Sequence, residues 1–218
     1  MFKQSLVGAA LLTLLAAGSA QAQITTGTGT PPKINDVGGY ALDSTDWLAG
    51  QITLNGAQTV TSIQAYLDDI AGGPGDNFNI TLYADNGSNK IGAQLDSAVA
   101  TWNSAGWNGL TGLNWAVAGG KYWVGLEVSD AEQTSFDALT GAPGLLANTA
   151  SSATGGHSYS YYNTAGTGLS KDLNLGLTVT SVAAVPEPAS WLMTLLGLGM
   201  VALFASRRRT GKSIALFA

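Results

Sequence analysis

Apolar and polar side chains alternate along several short stretches in the middle of the chain. Between residues 78 and 84 every second side chain is apolar, and Asn79, Thr81 and Tyr83 occupy the positions between them. Because successive side chains of a strand point to opposite faces of its sheet, this period of two predicts a half-buried strand. The same reasoning predicts further strands at residues 51–54, 60–67, 121–128 and 173–179.

Turn signals separate these strands. The step Asn86-Gly87 follows the strand at 78–84, and its residues suit the positive φ angles of a tight hairpin turn. No segment between the two ends of the chain shows the 3.6-residue period of an amphipathic helix. This pattern predicts an all-β fold, an antiparallel, jelly-roll-like β-sandwich at residues 36–182. Residues 23–35 are rich in Thr and Gly and are predicted to form a flexible leader.

The N-terminus has the three parts of an export signal. Lys3 supplies the positive charge, residues 6–17 are apolar, and Ala20 and Ala22 satisfy the small-residue rule for cleavage. The apolar run of about 12 residues is too short for a permanent transmembrane helix. We therefore predict a signal peptide at 1–22, which signal peptidase removes after Ala22.

The C-terminus reads as a membrane anchor. Residues 189–206 carry no charge, and a helix of about 18 residues spans ~27 Å, close to the ~30 Å hydrocarbon core of a bilayer. Arg207, Arg208 and Arg209 follow directly, and arginine clusters stay on the cytoplasmic side. We predict a transmembrane helix at 189–206, a basic cytoplasmic tail at 207–218, and an ectodomain on the opposite side of the membrane.

A short rigid motif precedes this anchor. Val185-Pro186-Glu187-Pro188 lies in a linker at 183–188, and together with the apolar run and the arginines it resembles the PEP-CTERM sorting signal. The resemblance covers residues 185–209. It implies a protein exported by a Gram-negative bacterium and processed near Pro186 by an exosortase, an integral membrane enzyme that resembles cysteine transpeptidases. It also implies an association with exopolysaccharide and biofilm.

A second resemblance covers residues 36–182. The runs at 79–87 and 122–126 resemble the choice-of-anchor ectodomains, which accompany PEP-CTERM tails in some bacteria. This resemblance implies a β-sandwich module and carries over no catalytic residue.

Composition narrows the range of partners. Without its two ends the chain holds four lysines, no arginine and all 14 acidic residues, so this body has a net charge of about −10. Nucleic acid is excluded as a partner, because binding phosphates requires clustered Lys or Arg. The chain has no cysteine, so its stability depends on a hydrophobic core and not on disulfides.

The carboxylates and the single histidine are the candidates for catalysis. Asp68 and Asp69 are adjacent and would point to opposite faces of a strand, and Glu127 begins an acidic run at the end of another. We interpret both groups as solvated turn charges. His157 lies in a Ser- and Gly-rich stretch without a Gly-x-Ser-x-Gly elbow and is interpreted as a loop residue. No catalytic residue, cofactor or metal site is predicted.

Tryptophans are numerous for a domain of this size. Trp102, Trp107 and Trp123 are the candidates for carbohydrate binding, since exposed rings stack on the apolar faces of sugars. Trp123 shares a strand face with Lys121 and Glu127, opposite the inward side chains. That placement allows either an exposed ring or a ring that packs under a neighbouring loop.

Together these features predict an exported, non-enzymatic β-sandwich protein. It is inserted by its C-terminal helix in the inner membrane, processed by an exosortase, and then structural or adhesive in the envelope or extracellular matrix. The alternative is a polysaccharide-binding module that uses exposed tryptophans and has exopolysaccharide as its partner. A glycan-active enzyme is a third hypothesis, and it requires carboxylates that converge in a groove.

Overall fold

The computed structural model describes most of the middle of the chain and a few residues near its C-terminus. The described residues are 22–31, 39–69, 74–129, 135–139, 146–152, 156–163, 173–184, 196–198, 200 and 201. One compact unit, Ala20–Ala184, contains every strand of the described residues. The two ends of the chain form a separate unit, in which residues 196–198, 200 and 201 are helical.

The described residues form twelve strands, and all of their pairings are antiparallel. In chain order the strands are β1 (Gln23–Gly27), β2 (Gly39–Leu42), β3 (Trp47–Leu54), β4 (Gln58–Asp69), β5 (Asn77–Asp85), β6 (Ile91–Thr101), β7 (Gly106–Val117), β8 (Gly120–Glu127), β9 (Phe136–Leu139), β10 (Asn148–Ser152), β11 (Ser160–Asn163) and β12 (Leu177–Ala183).

Sheet A is built around β4 and contains β1, β12, β4, β9, β2 and β7. Strand β7 follows one edge of β4 from Gln58 to Leu67. Strand β12 pairs with residues 58–65 of β4, and β9 pairs with residues 67–69. Because β7 occupies the first edge, β12 and β9 must share the other edge, one after the other.

Sheet B has the order β11-β10-β3-β8-β5-β6. The hairpin between β5 and β6 closes with a hydrogen bond of 3.0 Å from the Asn86 N–H to the Lys90 carbonyl oxygen. Gly87 and Asn89 have φ angles of 86° and 54°, in the left-handed region that glycine and asparagine tolerate best. The predicted turn at Asn86-Gly87 is confirmed.

Apolar side chains of the two sheets meet in one core. Ile63 and Leu67 of sheet A and Ile52 and Leu126 of sheet B belong to the same cluster, and none is more than 3% exposed. Two antiparallel sheets that share a core form a β-sandwich, so the predicted all-β fold is confirmed. Burying an aliphatic side chain contributes roughly 1.5–3 kcal/mol, and this core is the main source of stability in a chain without disulfides.

Five observed strands overlap with the predicted ones, namely β3, β4, β5, β8 and β12. Strand β12 begins at Leu177, later than predicted, although Leu173 and Leu175 are buried before it. The predicted inward side chains of β8, including Val124 and Leu126, lie in the main core.

Two boundaries are corrected by the structure. Residues 23–27 do not belong to a flexible leader, because they form β1, and each residue of β1 pairs with a residue of β12. Asp68 and Asp69 lie in β4 and not in a turn, since the last three residues of β4 pair with β9. The residues of the predicted leader at 32–35 lie outside the described part of the chain.

Candidate functional site

The outer face of sheet B, which points away from the main core, carries a second apolar cluster. We call this the outer cluster, and it consists of Ala49, Tyr83, Trp123 and Ala150, with Ile91, Tyr159 and Tyr161 packed against them. Its centre is completely shielded, because Trp123 is 0% exposed and the Tyr161 ring packs edge-on against it at 5.6 Å. This face of the sheet is therefore covered by aromatic side chains from the β11 region.

A buried carboxylate lies beside this cluster. Glu127 is 7% exposed, and its Oε1 accepts a hydrogen bond of 2.5 Å from the Tyr83 hydroxyl. Its Oε2 accepts a longer one, at 3.4 Å, from the Thr81 hydroxyl. Glu127 was predicted to be a solvated turn charge, and that prediction is wrong because the Tyr83 ring extends along the sheet and covers it.

Gly125 makes this arrangement sterically feasible. A Cβ atom at Gly125 would lie 2.9 Å from Glu127 Oε1 and 3.0 Å from Tyr83 Cε2. Any larger residue would separate the tyrosine from the carboxylate. The missing side chain at this position is thus the local sequence feature that lets the Tyr83 ring reach Glu127.

The two buried phenols keep their protons. Burial raises the pKa of Tyr83 well above its ordinary value, and the hydrogen bond and charge of Glu127 raise it further. Burial also raises the pKa of Tyr159, with a further contribution from the charge of Glu127. The Tyr159 hydroxyl is buried and has no hydrogen-bond partner within the described residues.

A recess of about 260 Å³ opens next to the outer cluster. Its lining comes from three strands and one loop: Tyr83 of β5, Ile91, Gly92 and Gln94 of β6, Tyr161 of β11, and His157. The backbone N–H of Ile91 donates a 3.3 Å hydrogen bond to the Tyr161 hydroxyl. Since β6 and β11 are the two edge strands of sheet B, the Tyr161 side chain links one edge strand to the other at the recess.

Two irregularities in the β5–β6 pairing shape the recess. Tyr83 pairs with Gln94, but the register shifts on either side of Tyr83. Each shift places an extra residue in β6, and bulges of this kind bend a strand and redirect its side chains. Both residues at this point of the pairing line the recess. Tyr83 is 3% exposed, whereas the Gln94 side chain is exposed.

His157 also lines the recess. Its ring packs edge-on against Trp47 at 5.3 Å and against Tyr83 at 6.0 Å, and its Nδ1 lies 3.5 Å from the Tyr83 hydroxyl oxygen. The predicted loop position of His157 is confirmed. The contacts of His157 with Trp47 and Tyr83 could not be predicted from the sequence, because the three residues are far apart in the chain.

A polar network surrounds Asp85 on the same face. Its Oδ2 accepts hydrogen bonds from Gln51 Nε2 at 2.7 Å and from Trp123 Nε1 at 3.0 Å, and its Oδ1 accepts one from the Gly87 N–H at 2.8 Å. Burial alone would raise the pKa of Asp85, but these hydrogen bonds together hold it below its ordinary value of 3.8. The ionised carboxylate therefore provides the partner that the buried Trp123 N–H requires.

The register separates the two carboxylates of this face. Glu127 pairs with Asn79 of β5, whereas Asp85 lies six residues further along that strand. At ~3.4 Å per residue their Cα positions lie about 20 Å apart along the strand direction. The two carboxylates also have different hydrogen-bond partners, which are Tyr83 and Thr81 for Glu127 and Gln51, Trp123 and Gly87 for Asp85. This arrangement differs from that of converging carboxylates, roughly 5–10 Å apart, that act together on a glycosidic bond.

The structure places the three candidate tryptophans in different surroundings. Trp123 lies under Tyr161, so of the two placements that the sequence allowed, the covered one is observed. Trp102 is 7% exposed and packs against Phe136 in the main core. Trp107 is half-buried on sheet A, packs against Tyr66, and donates from Nε1 to Thr30. The three rings do not form an exposed platform, and this expectation is corrected.

Most of the predicted signal and anchor residues lie outside the described part of the chain. These are Ala20, Val185, Pro186, Glu187, Pro188, Arg207, Arg208 and Arg209, with most of the span at 189–206 and the whole tail at 207–218. Ala22 is described and exposed, directly before β1. Among the described residues we find no helix with the length and apolar character needed to span a membrane.

Comparison with protein families provides the decisive information on this segment. Residues 184–209 match the family model of the PEP-CTERM protein-sorting motif. The chain carries a PEP-CTERM sorting motif. The resemblance drawn from Val185-Pro186-Glu187-Pro188 and the three arginines is thereby confirmed. No curated protein matches the chain.

The PEP-CTERM motif supports exosortase-dependent sorting of an exported, envelope-directed protein. Its predicted processing partner is accordingly an exosortase. The motif covers residues 184–209 and gives no information on the β-sandwich, whose surface chemistry must be read from its own residues.

Sequence analysis missed the residues that meet at the recess. The available signals were the alternation that places Tyr83 on one face of β5 and the tyrosine-rich run at 159–162. Neither signal shows that the run folds across sheet B, because the pairing of β11 with β10 is a property of the whole fold.

Proposed function

We propose that the protein is exported, anchored for a time in the inner membrane, and then processed by an exosortase to serve as a structural or adhesive component of the envelope or extracellular matrix. The observation that carries this proposal is the PEP-CTERM motif at residues 184–209. The export signal at 1–22 and the uncharged span at 189–206 give a consistent topology, with the β-sandwich outside the cytoplasm.

The position of β1 supports cleavage after Ala22. Ala22 is exposed, and β1 begins at the next residue, Gln23. A protease that cuts at this point leaves every residue of β1 in the mature protein. Biofilm and floc matrices are the proposed setting, because PEP-CTERM proteins are associated with exopolysaccharide.

We propose a non-catalytic role for the β-sandwich. The Cα positions of Asp85 and Glu127 lie about 20 Å apart along the sheet, and the two carboxylates bind different partners. Both observations support this role against a glycan hydrolase that would use these two carboxylates. The net charge of about −10 for the body favours solubility in the matrix and disfavours binding to polyanions.

A motif variant tests the sorting proposal. In the triple variant P186A/E187A/P188A we expect the protein to remain in the inner-membrane fraction, whereas the wild-type protein leaves it. D96A is the matched control, because it removes one carboxylate from β6 and leaves the motif intact. Deletion of the host exosortase should reproduce the triple variant. Release of the triple variant at the wild-type level would refute the proposal.

A further inference from the structure

The chemistry of the recess is that of a site for a small, uncharged and amphiphilic ligand. The lining consists of the rings of Tyr83, Tyr161 and His157, the amide of Gln94, and the apolar side chain of Ile91. None of these described lining residues is Asp, Glu, Lys or Arg, and the nearby Lys90 Nζ lies 5.5 Å from the centroid of the Tyr161 ring. Aromatic surface accepts apolar C–H groups, whereas the phenol, imidazole and amide form hydrogen bonds with hydroxyl groups.

Tyr83 is held by a buried hydrogen bond to a carboxylate outside the main core. Its hydroxyl donates to Glu127 at 2.5 Å, so its oxygen lone pairs remain available as acceptors toward His157 and the recess. Within the described residues Glu127 has no cationic partner. A buried, unpaired carboxylate is destabilising compared with apolar residues of the same volume. Such an arrangement is typical of a group that orients a binding residue.

The size of the recess limits the ligand. Pockets for drug-sized ligands measure about 300–1,000 Å³, and this recess of about 260 Å³ is smaller. It admits one ring with its substituents. The exposed Gln94 and His157 side chains leave the recess open to solvent, so a polymer could enter with one of its residues.

We propose that this recess binds a single neutral pyranose residue of a polysaccharide. A pyranose combines an apolar C–H face, which packs on Tyr161, with hydroxyl groups for Tyr83, Gln94 and His157. The choice of a polysaccharide as the source of the sugar rests on the proposed matrix function. The site differs from the tryptophan platform expected from the sequence, because Trp102 and Trp123 are buried.

Binding to the full-length chain in detergent micelles tests this proposal. The probes are neutral glucose, galactose and N-acetylglucosamine as monomers and as hexamers, observed by saturation-transfer NMR, which detects weak complexes. We expect at least one hexamer to bind, with at least tenfold weaker binding in Q94A and Y161A. Gln94 is exposed, so Q94A leaves the fold unchanged and reports on the recess even if Y161A unfolds.

W107A is the control, because it removes a half-buried aromatic ring from the other sheet, and its binding should equal that of the wild-type protein. Failure of all hexamers to bind, or loss of binding in W107A but not in Q94A, would overturn the proposal. Binding of a monomer without binding of any hexamer would assign the recess to a free sugar and overturn the choice of a polysaccharide. Failure of exosortase processing would not affect these measurements, so the two proposals fail independently.

Discussion

At the residue scale, the hydrogen bond between Tyr83 and Glu127 provides the shorter of the two hydrogen bonds to a buried carboxylate on the outer face of sheet B. The carboxylate is buried, and its other hydrogen bond, from Thr81, is long at 3.4 Å. Tyr159 lies in the same cluster, yet its hydroxyl has no partner within the described residues. The two tyrosines therefore offer a matched pair for measuring the contribution of one hydroxyl.

Removing each hydroxyl gives the first prediction. Y83F leaves the buried Glu127 carboxylate short of a donor and should lower the free energy of unfolding by about 1–3 kcal/mol. Y159F removes a buried hydroxyl that has no partner within the described residues, so it should leave that free energy unchanged or raise it by up to about 1–3 kcal/mol. Urea unfolding of both variants at pH 7 measures the difference. Equal losses in the two variants would contradict the Tyr83–Glu127 contact.

Asp85 gives a prediction that depends on pH. Its pKa in the folded protein is below the ordinary value of 3.8, so folding favours the ionised form. The resulting stabilisation is present above pH 4 and is lost as the pH falls through the folded pKa. D85N should therefore be less stable than the wild-type protein at pH 7, and the difference should shrink as the pH falls below about 4. A difference that does not change between pH 7 and pH 3, measured by urea unfolding, would contradict the network around Asp85.

At the scale of single elements, local pattern predicts strands whose two faces differ in polarity. Strand β5 alternates apolar and polar residues and is predicted correctly. Strand β6 is an edge strand with mostly exposed or half-buried residues, many of them small, such as Gly92, Ala98 and Ser97. Its larger apolar side chains, Leu95 and Val99, are exposed, so its hydropathy pattern does not mark a buried face. Tertiary pairing with β5 decides its structure.

Strand β1 shows the same limit at the N-terminal end. Its Thr and Gly residues are as typical of a flexible segment as of a strand, and only pairing with β12 distinguishes the two. The close contact of the two backbones is the feature that makes this pairing testable. A Cβ atom at Gly27 would lie 2.1 Å from the Leu177 carbonyl oxygen.

The third prediction concerns this contact. G27A should destabilise the protein by more than about 2 kcal/mol, because it combines a clash with strain at a φ of +139°. Gly56 has a φ of +79°, and a Cβ atom added there would have no neighbour within 4 Å, so G56A should lose only the conformational term of about 1 kcal/mol. Thermal unfolding of both variants provides the measurement. A G27A variant as stable as G56A would mean that β1 does not pair with β12.

At the scale of the whole molecule, the two functional features differ in how far sequence alone reveals them. The sorting motif is a linear signal, with its rigid motif, apolar span and arginines next to one another, so it could be recognised directly. The recess combines Tyr83, Gln94, His157 and Tyr161, which come together only through the order of the strands in sheet B. No local property of the sequence specifies that order, and the site could not be predicted without the fold.

The proposed function depends above all on covalent processing at the PEP-CTERM motif. The most direct test is the intact mass of the native protein, isolated from its host with and without the exosortase. We predict a mature chain that begins at Gln23 and ends near Pro188 in the presence of the enzyme, and a chain that keeps Arg207–Arg209 in its absence. A chain that still carries these arginines when the exosortase is present would contradict the account.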